Sequence, residues 1–181
     1  MMPDWIITPC IEADLPAVVD LVNSDYRGGE GAQAGWTSEA DYIDGQRTSL
    51  EDLTRELAGQ PKPTLLLLRE TPGGEMLACA MVEPHIEAGY GYIGMVTVKP
   101  GLQAGGIGRA MLEAAEDHVR KLGAIRARMT VVSIRDSLIG WYERRGYRLT
   151  GERKPFPYDD ARFGVPRRPD LEFAVLEKTL A

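Results

Sequence analysis

A chain of 181 residues is the size of one ordinary domain, and a single domain over 1–181 is the expectation. With 44% hydrophobic and 27% charged residues it fits neither a disordered nor a fibrous class, and its longest aliphatic run, residues 65–68, is far short of a membrane span. The formal net charge of −6 divides into −11 over residues 1–90 and +5 over 91–181, an acidic balance that, with no arginine and aromatic platform, argues against nucleic acid.

Met1-Met2-Pro3-Asp4-Trp5 has no basic stretch leading into an apolar core, so no secretory signal is read and the cytoplasm is the expected compartment. Residues 5–8 form a strand candidate. Asp14 then reads as an N-cap, with Leu15-Pro16 in the first turn of a helix whose Leu15, Val18 and Val22 share a face and which ends near Asn23. Residues 26–46, with five glycines and mixed polarity, read as a long loop holding at most one short helix. Thr48-Ser49-Leu50-Glu51 fits a capping box, and Leu50, Leu53 and Leu57 supply the stripe of a second helix ending at Gly59.

Strands over 64–70 and 76–83 flank the hairpin signal Thr71-Pro72-Gly73-Gly74-Glu75, and a fourth strand over 90–98 ends at Pro100. Helix 108–122 carries Leu112, Ala115, Val119 and Leu122 on one side, with Gly123 just past its end. The fifth strand, over 125–133, alternates Ile125, Ala127, Met129 and Val131 with Arg126, Arg128 and Thr130. A short helix over 137–145 and strands over 147–154 and 171–178 complete the order, with a long loop at 155–170. The fold class is mixed α/β. Only the strand–helix–strand around Gly108 demands a parallel crossover. Cys10, Cys79, His85 and His118 have no metal-ligand spacing, so no metal is expected, and both cysteines read as small buried hydrophobes.

Between the fourth strand and the best helix lies Gln103-Ala104-Gly105-Gly106-Ile107-Gly108. A helix N-terminus presents unpaired N–H groups and a positive dipole end, and glycines let the backbone approach a pyrophosphate without a Cβ in the way. The P-loop is excluded, because Gly108 is followed by Arg109-Ala110 and not by Lys-Ser/Thr. The dinucleotide fingerprint is excluded as well, since Met111 stands where its third glycine belongs.

The stretch resembles the cofactor signature of the GNAT acyltransferase family, Gln/Arg-x-x-Gly-x-Gly/Ala, at Gln103-x-x-Gly106-x-Gly108. A second family feature, a tyrosine in a short helix ahead of a Gly-aromatic pair, matches Trp141-Tyr142-Glu143-Arg144-Arg145-Gly146-Tyr147. The resemblance implies a GNAT fold: a mostly antiparallel sheet of about six to seven strands flanked by helices and splayed between the fourth and fifth strands. It also implies acetyl-CoA as cosubstrate, its pyrophosphate on the amides of Gln103, Ala104, Gly105, Gly106, Ile107, Gly108 and Arg109, and its pantetheine arm beside Val96, Thr97 and Val98 of the fourth strand, paired with the backbone of Val96 and Val98. Where the family often has Asn seven residues before the tyrosine, this chain has Arg135.

Acyl transfer to an amine needs a base, because an amine of pKa near ~10.4 is protonated at neutral pH, and an acid for a thiolate whose thiol titrates near ~8.5. Tyr142 is the candidate acid. Glu83 is the candidate base, with His85 and Asp44 as alternatives. The region ahead of the second helix, which forms an acceptor wall in the family, offers Trp36 and Tyr42 as apolar surfaces and Glu39, Asp41 and Asp44 as attractors of a cationic amine; Arg47 suits a substrate carboxylate instead. The 155–170 loop, with Phe156, Tyr158 and Phe163, either closes over the site or packs on a second subunit as a homodimer. The expected activity is acetyl-CoA-dependent N-acetylation of a primary amine on a small molecule or peptide; the alternative is a non-catalytic acyl-CoA-binding sensor.

Overall fold

The computed structural model describes residues 4–26, 43–102, 105–160 and 164–180. In chain order the elements are β1 (Ile6–Pro9), α1 (Leu15–Tyr26), β2 (Ile43–Asp44), α2 (Leu50–Leu57), β3 (Thr64–Arg69), β4 (Met76–His85), β5 (Tyr90–Val98), α3 (Ile107–Lys121), β6 (Arg126–Val132), α4 (Asp136–Glu143), β7 (Arg148–Pro155), β8 (Val165–Pro166) and β9 (Glu172–Thr179). Seven strands form one sheet in the order β1-β3-β4-β5-β6-β9-β7. All its neighbours are antiparallel except β5 and β6, which α3 joins as the expected parallel crossover.

The leucine run shows why the sheet is covered on both sides. Alternate side chains of a strand face opposite ways. Leu65 and Leu67 accordingly pack with Val18, Val22 and Leu53 of α1 and α2, while Leu66 and Leu68 pack with Met111, Leu112 and Ala115 of α3. In β4 the same division sends Cys79 and Met81 to the first cluster and Ala78, Ala80 and Val82 to the second. Helix α3 lies so close on β5 that a Cβ on Gly91 would stand 2.6 Å from Val119 Cγ2.

Several local expectations are corrected. Asp14 does not cap α1. Its carboxylate accepts from Ile11 N and from the Arg69 guanidinium, both at 3.0 Å. The N-cap of α2 is Ser49 and not Thr48, since the Ser49 hydroxyl accepts from Asp52 N at 3.1 Å. Helix α1 runs to Tyr26, past the expected stop at Asn23. An Asn side chain ends helices by competing for its own backbone, but the Asn23 amide is engaged far away in sequence, on Arg47 and Thr48. Within the two expected loops, β2 and β8 pair with each other as a small separate sheet. Cys79 is fully buried, its thiol pushed up to about 12 by burial, whereas Cys10 is only partly buried.

One buried charge sits behind the sheet. Glu116 of α3 accepts from the Tyr147 hydroxyl at 2.8 Å and from Lys178 Nζ at 3.1 and 3.2 Å, which ties α3 to β9 and to the corner after α4.

Candidate active site

β5 and β6 pair only at Tyr90, Gly91 and Tyr92, opposite Arg126, Ala127 and Arg128. Beyond Tyr92 they part, as the expected splay requires, and side chains from both strands line a cavity of about 280 Å³. A 2.6 Å bond between the Tyr92 and Thr130 hydroxyls crosses the start of the opening. At the same level β5 bulges. Its register with β4 shifts between Cys79 and Met81, and Met95 takes φ 55, uncommon for a residue with a side chain.

Three expected site residues meet in this cavity: Tyr142, Glu83 and Arg47. Tyr142 is buried, with its ring edge-on to Trp141 and Tyr147 at 5.1 and 5.8 Å. Burial, and then the negative charge of Asp25, push its hydroxyl well above the usual tyrosine range against a smaller pull from Arg135, so it stays protonated. Glu83 Oε1 lies 2.8 Å from His85 Nε2, and the His85 ring stacks on Tyr90 at 4.9 Å, so two of the three base candidates form one pair. Asp44 lies in β2, but its side chain is outside the described atoms, and Trp36 and Tyr42 are outside the described residues.

The cofactor-binding expectations divide. Gln103 and Ala104 lie outside the described residues. Gly106 is the N-cap of α3 at φ 79, and Ile107 and Gly108 are buried beneath the helix start. The Arg109 guanidinium pairs with Glu113 at 3.0 Å. Gly105 needs neither a positive φ nor the missing side chain for packing, because an added Cβ there would meet nothing within 4 Å. The Thr97 hydroxyl is buried and donates to the Met95 carbonyl at 2.9 Å. The two backbone groups expected to face pantetheine are engaged by the last turn of α1: the Val96 carbonyl accepts from the Tyr26 hydroxyl at 3.2 Å, and Val98 N donates to Asp25 Oδ2 at 3.4 Å.

The sequence reading missed Asp25, Tyr26 and Glu56. Asp25 was detectable, since it continues the buried stripe of Val18 and Val22 and a carboxylate on an apolar stripe is unusual. Glu56 of α2 lines the cavity, its carboxyl raised by burial and by Asp52 and Glu83 against the pull of Arg47. Phe156, at the start of the expected loop, is buried in the cavity wall and stacks on Phe173 at 5.5 Å. Phe163 is outside the described residues.

Residues 17–147 match the model of the acetyltransferase (GNAT) family. An IAA acetyltransferase of Azospirillum brasilense is 30% identical over 98 residues, which make up 54% of this chain and 62% of that protein, so less than two thirds of that relative's length is spanned. The ribosomal-protein-S18-alanine N-acetyltransferase of Escherichia coli superposes with a TM-score of 0.67 at 18% identity, over 98% of this chain and 94% of that one. The Salmonella typhimurium protein yncA, solved with its cofactor acetyl-CoA, gives 0.64 at 18% identity over 98% and 95% of the two chains. Likeness at these identities is one of fold.

Proposed function

The chain belongs to the GNAT acetyltransferase family, and we propose that it is an acetyl-CoA-dependent N-acetyltransferase acting on a primary amine of a small molecule or peptide. The opening between β5 and β6 carries the reading, because it puts a buried phenol, Tyr142, and a part-buried carboxylate, Glu83, into one cavity. Bound acetyl-CoA supplies an activated thioester. Transfer from a protonated amine forms the amide C–N bond and breaks the C–S bond; nitrogen loses two protons, one before attack and one as the amide forms, the departing sulfur gains one, and one leaves to solvent. Glu83 takes the proton that frees the amine, directly or through water, and His85 is placed to share it. Tyr142 gives the sulfur its proton and is reprotonated at the expense of the second nitrogen proton.

The residues present fit this cosubstrate. Gly105 has no conformational or packing reason to lack a side chain, and it stands at the N-terminus of a 15-residue helix whose first amides suit a pyrophosphate. Val96 and Val98 offer the pantetheine arm a carbonyl and an amide, for which Tyr26 and Asp25 must give way. Gly105→Asp therefore adds a negative charge and a side chain where the diphosphate sits. We expect acetyl-CoA affinity to fall by about tenfold or more with thermal stability unchanged, as read by calorimetric titration beside a melting curve. Unchanged affinity would move the pyrophosphate elsewhere.

Free-thiol release from acetyl-CoA against a panel of amines, amino acids, polyamines and peptides tests the activity. Tight binding with no release from any of them would make the protein a binder and not an enzyme. For the base, Glu83→Gln should lower kcat/KM by about a hundredfold near neutral pH. The loss should narrow as pH approaches the acceptor's own pKa, because amine then arrives already deprotonated. A pH–rate profile identical to wild type would rule Glu83 out.

A further inference from the structure

We infer that the acceptor is a free amino acid, or an equally short amine bearing a carboxylate, held through its carboxylate by Arg47 with its amine toward Glu83. This rests on the acetyltransferase reading above and names its substrate class. The cavity carries charge of both signs: Arg47 and Arg135 on one hand, Glu56 and Glu83 on the other. A polyamine would face two guanidinium groups there, and a dicarboxylate without an amine would face two carboxylates. A zwitterion satisfies both.

Arg47 is the best placed of these groups. Asn23 Oδ1 accepts from the backbone N–H of Arg47 at 2.8 Å and of Thr48 at 3.0 Å, and Asn23 Nδ2 donates to the Thr48 carbonyl at 2.9 Å. Three hydrogen bonds from one side chain thus fix the backbone that presents Arg47. Its guanidinium lies over the Tyr26 ring, 5.4 Å from the centroid. Among the described residues no carboxylate is within salt-bridge distance of it, although Glu56 and Glu83 share its cavity. A guanidinium fork on a fixed backbone, with no ion pair among the described residues, matches the two oxygens of a carboxylate. The volume agrees, since about 280 Å³ is at the low end for a ligand site and must also admit the thioester. Phe156 and Phe173 leave the acceptor's side chain an apolar wall.

The test is kcat/KM, by thiol release, for matched trios: phenylalanine, phenylalaninamide and phenethylamine, then the leucine set. Wild type should favour the amino acid over its amide and its decarboxylated amine by roughly ten- to a hundredfold, the worth of a charge-assisted hydrogen-bond pair. Arg47→Gln should cost the amino acid roughly that factor, mostly in KM, and cost the carboxylate-free amines far less. The wild-type comparison needs no variant to fold. Equal or better use of the amides or amines, or an equal loss for all three in Arg47→Gln, would overturn the inference and leave the acetyltransferase reading intact. Release from none of them, nor from any peptide or polyamine, would overturn both.

Discussion

Tyr142→Phe is expected to lower kcat by about a hundred- to a thousandfold while calorimetry shows unchanged acetyl-CoA affinity. The change is nearly isosteric. The ring keeps its edge-on contacts with Trp141 and Tyr147, so packing survives and only the hydroxyl is lost. Burial and the charge of Asp25 hold that hydroxyl protonated far above neutrality, so it is present as a donor and releases its proton only as negative charge develops on the departing sulfur. The sign follows. A phenol whose pKa is raised cannot lose its proton as pH rises through the ordinary tyrosine value near ~10, so wild-type kcat should show no falling limb from Tyr142 there. A second measurement separates proton donation from mere positioning. With an aryl thioester, whose thiol is already acidic, the departing sulfur needs less help and the gap between Tyr142→Phe and wild type should narrow. Full turnover by the Phe variant, or an equal deficit with both thioesters, would remove Tyr142 as the acid.

The element order was legible because each long element carries one clear periodicity. Alternation in β6 and the 3.6-residue stripe of α3 are local signals, and the structure keeps them within the elements, whereas Leu122 and Ile125, expected on the buried sides, lie just past the element ends and are exposed. The errors fall where a side chain spends its hydrogen bonds on distant partners. Asn23 looked like a helix stop, yet it lets α1 run on to Asp25 and Tyr26 because its amide is bound to Arg47 and Thr48. Asp14 looked like a cap, and it is drawn to Arg69. β2 and β8 are two residues each, too short for any pattern to show. In the candidate site, Tyr142 was legible from its short motif. Glu56 was not, since along the sequence it looks like Glu51 and Asp52, the other acids of α2. Only its place in the cavity lining, beside Met81 and Glu83, sets it apart.

The largest stability loss is expected from Lys178→Met. Glu116 is buried, and among the described residues only the Tyr147 hydroxyl and Lys178 Nζ reach its carboxylate. Two close contacts fix the geometry: Gly146, at φ 99, runs so near that an added Cβ would be 3.2 Å from Lys178 Cε, and Lys178 Nζ stands 5.7 Å from the Tyr147 ring centroid. Removing the ammonium leaves a carboxylate in the core with one neutral donor. Breaking a buried pair from one side costs about 3 kcal/mol or more, which for a chain of this size lowers Tm by roughly 6 to 12 °C. The methionine stem fills the same space, so lost packing adds little. Stranded charge and lost contact are separated by the double variant Glu116→Gln/Lys178→Met, which removes both charges and leaves Tyr147 an amide oxygen to donate to. If the stranded carboxylate causes the loss, the double variant should melt well above Lys178→Met alone, a coupling that a double-mutant cycle reads directly. A double variant as unstable as the sum of the two single changes would mean that the three groups do not act as one unit. Because Glu116 and Lys178 lie outside the lining of the β5/β6 cavity, kcat measured below the melting range should be retained throughout the cycle.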